Sequence, residues 1–197
     1  MFSKEQQQVV NFLQKLTAIP DHEIQPVVSL FQPLDLRKNE HFVEAGQTST
    51  TLAFVVHGVM RLYYISEAGE EFTKEFCGEN EFVAAYSALL LSKPSRLYIQ
   101  ALEDTKLLIV PFRHYQSLTE GRLCWEIINR KLVEALFIKK EWRVSSLLLE
   151  DAQTRYLNFL AENPGLESRV KQHHIASYLA ITPVSLSRIR AHLKALT

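Results

Sequence analysis

Two short segments near the C-terminus, separated by a tight turn, constrain the fold of this 197-residue chain more than any other feature. In the first segment Ile175 and Leu179 stand four residues apart, which places them on one face of a helix. The second segment opens with Thr182 and Pro183, a favourable N-cap followed by a proline at the first helical position, where its missing N–H costs nothing. The pattern predicts two short helices that pack across a turn.

The second of these helices has two unlike faces. An apolar stripe consists of Leu186, Ile189 and Leu193. The opposite side carries Val184 and Arg188 with short serines beside them, not the mixture of Glu and Lys that a merely solvated helix has. Short side chains around one arginine are typical of a helix that enters the major groove of DNA. The pair is therefore predicted to be a helix-turn-helix, with an ordinary helical hairpin as the alternative.

Composition places the chain among globular proteins. Hydrophobic residues make up 47% and charged residues 22% of the sequence, and no run approaches the roughly 20 apolar residues of a membrane span. The N-terminus lacks the basic-then-apolar order of a secretion signal, and Cys77 and Cys124 are too few for a disulfide framework. We therefore expect a cytoplasmic protein of one large or two small domains, with no membrane partner.

Charge is balanced overall but unevenly distributed. Residues 1–120 contain ten Lys and Arg against fifteen Asp and Glu, whereas residues 166–197 contain five against one. The predicted helix-turn-helix is therefore basic and the first part of the chain is acidic. This asymmetry favours a nucleic-acid partner for the C-terminal end.

Short strands are predicted from about residue 30 to residue 111. The run Leu52–Ile65 is rich in β-branched and aromatic residues and is divided by His57-Gly58, and a further strand is expected within a run near 82–91. Many short strands at this spacing are typical of a sandwich or jelly roll.

Helices are predicted on both sides of the strands, at 3–16 and 21–30 and again from Pro111 to about residue 162. In the later stretch apolar residues recur every three or four positions, as in a coiled coil. A second apolar row, which includes Val133, is predicted to pack back on the sheet; a single amphipathic helix that covers its own domain is the alternative. We predict that a seam on this helix joins two copies of the chain, and its members are Trp125, Ile128, Leu132, Ala135, Lys139 and Trp142.

A β-roll, a long helix and a C-terminal helix-turn-helix, in that order, resemble the Crp/Fnr family of bacterial transcription regulators. The resemblance covers nearly the whole chain and rests most on Glu44–Gly46, Phe54–Leu62, Gly78–Phe82 and Ile175–Arg188. It implies an α+β protein with an N-terminal β jelly roll of the cyclic-nucleotide-binding type (1–112), a long dimerisation helix (113–145) and a helix-turn-helix domain (146–197).

The resemblance also implies a homodimer that binds double-stranded DNA, with RNA polymerase as a further candidate partner. Pro183, Val184 and Arg188 match positions that reach base edges, and Gln172 matches a phosphate-contacting position. A nonspecific phosphate contact is expected from Lys171. The predicted DNA-binding surface is completed by Thr182, Ser185 and Ser187.

This chain departs from the family pattern at two places in the helix-turn-helix. The better-known members have Arg and Glu where this chain has Pro183 and Val184, so their target sequence does not carry over. The usual turn glycine is Ala180 here, which is expected to cost up to ~1 kcal/mol of backbone strain.

A further departure from the family concerns the effector. Members that bind cyclic nucleotides hold the ribose with a Glu and the phosphate with an Arg, and the matching positions here are Ala85 and Ser95. Arg96 is adjacent but is expected to point away, because side chains alternate along a strand. We therefore expect no cofactor and no bound cyclic nucleotide. The residual pocket is predicted to involve Ala84, Ala85, Tyr86, Ser95, Arg96 and Tyr98.

Two further interpretations stay open. One is a cyclic-nucleotide receptor that uses Arg96 in a rearranged cradle, and the other is a small-ligand sensor that signals through a protein partner docked on the C-terminal hairpin. An enzyme is not expected, because the sequence has no Gly-x-Ser-x-Gly elbow, phosphate loop or zinc-ligand pair.

Overall fold

Antiparallel strands lie between residues 32 and 111 of the sequence, with helices before and after them along the chain, in a computed structural model that describes residues 2–195. The strands are β1 (Gln32–Leu36), β2 (His41–Val43), β3 (Thr51–His57), β4 (Met60–Ile65), β5 (Glu71–Cys77), β6 (Phe82–Val83), β7 (Tyr98–Ala101) and β8 (Thr105–Pro111). The helices are α1 (Lys4–Leu16), α2 (Asp21–Val28), α3 (Tyr86–Leu91), α4 (Phe112–Thr119), α5 (Leu123–Leu149), α6 (Ala152–Glu162), α7 (Leu166–Arg169), α8 (Gln172–Tyr178) and α9 (Pro183–Lys194). No helix in this part of the chain combines the length and the apolar character needed to cross a membrane.

The strands form two sheets, with the orders β1-β8-β3-β6 and β2-β7-β4-β5. Strand β3 lies between β8 and β6, and Ala53 is in register with both Ile109 and Val83. The predicted α+β fold with a β-sandwich is therefore confirmed, as is the division at His57-Gly58, where β3 ends and β4 soon begins.

Side chains that alternate between the two faces of β3 and β8 divide the core into two apolar clusters. Phe54 and Leu108 pack with helices α1 and α2 and with Trp125. Their neighbours Val55 and Leu107 face the interior of the sandwich, because successive side chains of a strand point to opposite sides. The interior cluster also contains Met60, Leu62, Cys77, Val83, Ala85, Ala88, Leu97, Ile99 and Ala101.

The structure corrects two boundaries. The run near 82–91 contains only the short strand β6, and then helix α3 buries Ala88 and Leu89 on one face before it ends at Ser92, which has a left-handed φ of 50°. The helix predicted over 113–145 is interrupted, because the segment around Gly121, with φ +70°, separates α4 from α5.

The chain divides into two compact units. The first comprises residues up to Leu62 together with Phe76–Leu136, and the second comprises Tyr63–Glu75 and the described residues from Phe137 onward. Helix α5, predicted as a segment of its own, thus contributes its first part to the first unit and its second part to the second unit.

Candidate nucleic-acid interface and sensor pocket

Helices α8 and α9 form the helix-turn-helix, and the turn between them is a Schellman motif. The N–H of Ala180 donates to the Ser177 carbonyl at 3.2 Å, and the N–H of Ile181 donates to the Ala176 carbonyl at 3.0 Å. Ala180 adopts φ +53°, the left-handed conformation that the sequence analysis associated with strain.

The start of α9 is capped as its sequence predicts. The Thr182 hydroxyl accepts a hydrogen bond from the N–H of Ser185 at 3.1 Å, and Pro183 occupies the first turn. On the inner side Leu186 is buried, as are Ile175 and Leu179. His174 is also buried.

The predicted DNA-binding residues form an exposed surface. Val184 is 60% exposed, and Ser185 is half-buried with its hydroxyl 2.9 Å from that of Thr182. Lys171 is the N-cap of α8 and Gln172 its first residue, and both side chains are exposed. The other exposed members of the set are Thr182, Pro183, Ser187 and Arg188.

The two arginines of α9 have different surroundings. The Arg188 side chain is exposed and makes no hydrogen bond or ion pair with any other residue between 2 and 195. The Nε of Arg190 lies 3.0 Å from the Glu167 carboxylate, which also accepts a hydrogen bond from the Tyr156 hydroxyl. Burial first, and then the bond to Glu167, raises the pKa of Tyr156 to about 12. Sequence reasoning missed this network.

A second pair of arginines holds the helix-turn-helix to the helices before it. Arg155 donates from Nε to the Leu179 carbonyl at 3.1 Å and from Nη1 to the Glu150 carbonyl at 2.6 Å. The Arg143 guanidinium lies 3.8 Å from the ring centre of Tyr178 and donates to the carbonyl of that residue. Burial lowers the pKa of Arg143 and raises that of Tyr178. These contacts fix α8 against α5 and α6.

The β4–β5 hairpin tip, Tyr63–Glu75, also contacts the helix-turn-helix within the second unit. The Ser177 hydroxyl accepts from the N–H of Thr73 and donates to the Glu71 carbonyl, each at 2.8 Å. Lys139 of α5 forms an ion pair with Glu75 at 2.7 Å. One serine side chain of α8 therefore satisfies two backbone groups of the hairpin.

The positions that the resemblance assigns to effector binding have different surroundings. Ala85 is buried in the interior cluster, where the family pattern has a carboxylate. The buried Ser95 hydroxyl donates to the Leu97 carbonyl at 2.7 Å. Arg96 is exposed and lies in the loop before β7, so the alternation of strand side chains used to predict its direction does not apply to it.

The remaining predicted pocket residues do not gather at one place. Ile99 and Ala101 of β7 face the interior cluster, so Tyr98 faces the other way and stacks edge-on with His41 at 5.7 Å. Tyr86 packs edge-on against Phe112 of α4 at 6.0 Å. Tyr86 and Tyr98 therefore contact different elements, and their part in an effector pocket stays a prediction. Ala84 is half-buried beside Ala85.

The predicted seam on α5 is only partly exposed. Trp125 and Ile128 are 0% exposed because they belong to the core of the first unit, and Leu132 packs against the same core. Lys139 pairs with Glu75, as described above. The prediction that Trp125 and Ile128 join two copies is therefore wrong, since neither has surface left to contribute.

Other apolar residues of α5 are exposed in their place. Ala135 and Trp142 from the predicted seam are exposed. Val133, predicted to pack on the sheet, is exposed as well. A stripe further along the helix consists of Phe137, Val144 and Leu148, which lie within about 40° of one another around the axis at 100° per residue.

Comparison with known proteins agrees with this architecture. Residues 33–122 match the cyclic nucleotide-binding domain family. The chain is 22% identical over 181 residues to the global nitrogen regulator of Nostoc sp. strain PCC 7120, covering 86% of this chain and 79% of that protein.

Solved structures share the fold over most of their length. The catabolite activator protein of Thermus thermophilus has a TM-score of 0.58 at 20% identity, covering 93% of this chain and 87% of that one. A Crp/Fnr family protein from Eubacterium rectale has a TM-score of 0.71 at 17% identity, covering 94% and 88%. Together with the domain match, these structures show that the chain has the fold of Crp/Fnr family proteins.

Proposed function

We propose that this protein is a homodimeric regulator that binds double-stranded DNA in a sequence-specific manner and does not use a cyclic nucleotide. The observation that carries the proposal is the outer face of α9, where Arg188 projects without an internal partner beside exposed Val184 and Ser187. An arginine without an internal partner on this face has its donors available for a base edge or a phosphate.

Each exposed residue has a chemistry that suits one part of a DNA site. Arg188 suits a bidentate contact with guanine O6 and N7, and Val184 suits an apolar contact with a thymine methyl group. The hydroxyls of Ser185 and Ser187 complete the short-chained surface that lets the helix approach the groove. Lys171 and Gln172 at the start of α8 suit phosphate contacts that set orientation without reading sequence.

Dimerisation is proposed through the exposed face of α5. Phe137, Val144 and Leu148 follow a spacing of seven and four residues, which is the repeat of a coiled-coil seam. A second copy presenting the same stripe would remove these side chains from water. Two recognition helices related by a two-fold axis would then meet half-sites about one helical turn apart. RNA polymerase is a further proposed partner, for which we assign no surface.

The absence of a cyclic-nucleotide response is proposed from the residues at the effector positions. Ala85 has no group to accept from a ribose hydroxyl, and the Ser95 hydroxyl is engaged with the backbone of Leu97. Loss of two charge-assisted contacts, each worth about 1.5–3 kcal/mol, leaves little affinity for such a ligand. We therefore expect DNA binding by ligand-free protein.

Selection of the ligand-free protein against random duplex DNA tests these proposals. The expected result is enrichment of a palindrome, and binding to it should weaken steeply as salt rises, because each phosphate contact releases counterions. Arg188→Ala should relax preference at one base pair at a cost of about 1–3 kcal/mol, whereas Lys171→Ala should weaken every sequence alike.

Three results would count against parts of the proposal. If both variants lost the same affinity on every sequence, Arg188 would not contact a base edge. Enrichment only when cyclic AMP is added would overturn the ligand-free proposal. No enrichment under either condition would favour a sensor that signals through a protein partner.

A further inference from the structure

Helix α7, just before the helix-turn-helix, carries the one acidic residue of the sequence from 166 to 197. Glu167 is the only Asp or Glu between residues 166 and 197, a segment with five Lys and Arg. Its carboxylate lies 3.0 Å from the Nε of Arg190 and accepts the Tyr156 hydroxyl proton in a hydrogen bond. The single acid of this segment therefore forms an ion pair with one arginine of α9.

Arg190 stands on a different side of α9 from Arg188. Two residues correspond to about 200° of rotation, so the two side chains leave the helix in nearly opposite directions. Arg190 shares its side with Ser187 and Lys194, within about 60°. Arg190 also lies within about 40° of buried Leu186, on the inner side of α9. Once released from Glu167, its long side chain would have to extend past the flank of the helix to reach a phosphate at the wall of the groove.

The contact that restrains Arg190 is sheltered from water. Both partners are about three-quarters covered, with side-chain exposures of 26% for Arg190 and 29% for Glu167. Tyr156, beneath them, is buried. An ion pair held on one side by a buried hydroxyl has a fixed geometry, unlike an exposed pair of flexible side chains.

We propose that Glu167 is a specificity-determining residue, which holds Arg190 away from DNA phosphates so that α9 binds through Arg188 without an additional nonspecific charge. Specificity is the ratio of affinity for the target to affinity for other DNA, and each added phosphate contact raises the latter. The inference rests on the proposed function, because it requires that α9 lie in a groove.

The test measures affinity for a scrambled duplex between 50 and 200 mM salt, using the full chain and four variants. With Glu167→Gln, the slope of log affinity against log salt should steepen by about 0.9, so that affinity changes about 3.5-fold more across this range than in the wild type. Arg190→Gln alone should leave the slope unchanged, because the arginine is already neutralised. When Glu167→Gln is added to Arg190→Gln, the slope should stay the same as for Arg190→Gln alone.

Lys171→Gln serves as the reference for a lost phosphate contact, with a slope lower by about 0.9. Thermal unfolding of each variant separates a loss of folding from a change in DNA contacts. A flatter slope for Arg190→Gln alone, or equal effects of Glu167→Gln with and without Arg190, would overturn the inference. If the affinity of the wild-type protein for DNA did not depend on salt, the proposed function itself would be contradicted, and the inference with it.

Discussion

At the scale of single residues, Gly58 in the turn between β3 and β4 is restricted both by its backbone conformation and by the atoms close to it. Its φ is +105°, and a Cβ added there would lie 2.3 Å from Thr105 Oγ1 and 2.8 Å from Thr105 Cα. Its N–H donates to the Glu79 carboxylate at 3.0 Å. Glycine is therefore required both by the turn and by the close approach of the chain at Thr105.

Gly58→Ala should lower the free energy of unfolding by about 3 kcal/mol, because it combines a left-handed alanine with a steric clash against backbone. Gly69→Ala is the matched control, since Gly69 has φ +82° but no atom within 4 Å of an added Cβ. That variant should lose only about 1 kcal/mol from strain. Urea denaturation measures both, and equal losses would show that Thr105 moves aside freely.

Residue-level features with a local cause could be predicted from the sequence. The break at His57-Gly58 and the helix start at Thr182-Pro183 follow from the backbone preferences of those residues themselves. The pairing of Glu167 with Arg190 could not be predicted in this way, because it depends on how α7 packs beside α9. The low acid content of residues 166–197 was the one sequence signal that pointed to Glu167.

At the scale of elements, the contact between the hairpin tip and α8 depends on one side chain. Ser177→Ala removes the acceptor of the Thr73 N–H and the donor to the Glu71 carbonyl. Loss of about 1 kcal/mol should speed amide exchange at Thr73 by about fivefold. Hydrogen exchange resolved to Thr73 measures the effect.

Ser168→Ala is the control for that measurement, because the Ser168 hydroxyl donates to the Gly165 carbonyl within its own turn. It should leave exchange at Thr73 unchanged. If Ser177→Ala also left Thr73 protected, the hairpin tip would be held in place by other contacts and not by this serine.

Helix α5 illustrates what periodicity does and does not determine for an element. The repeat of three and four residues predicted a helix, and α5 is one. The same repeat could not tell which apolar face meets the core, because α5 carries large apolar residues on more than one side. Trp125 and Ile128 are buried in the core of the first unit, whereas Phe137, Val144 and Leu148 are exposed.

At the scale of the whole molecule, the exposed stripe of α5 requires an explanation. Phe137 is 66% exposed and Leu148 is 77% exposed, on one side of one helix. Clustered large apolar residues on a surface mark an interaction site more often than scattered ones do. The fold class could be predicted because the order of modules depends on many residues at once, whereas the mode of association depends on the few that remain uncovered.

Phe137→Glu should convert a dimer into a monomer. A carboxylate in the proposed seam would be desolvated opposite its own symmetry mate, and Glu134 and Glu141 already lie on that side of the helix. Leu91→Glu is the control, since Leu91 is 64% exposed on α3 and lies outside α5. Sedimentation velocity should show a dimer for the wild type and the control and a monomer for Phe137→Glu, with far-UV circular dichroism unchanged in all three.

A Phe137→Glu variant that still sediments as a dimer would place the association on another surface. If it sediments as a monomer, its binding to a palindrome should fall to that of a single half-site, which ties the stripe on α5 to recognition by α9.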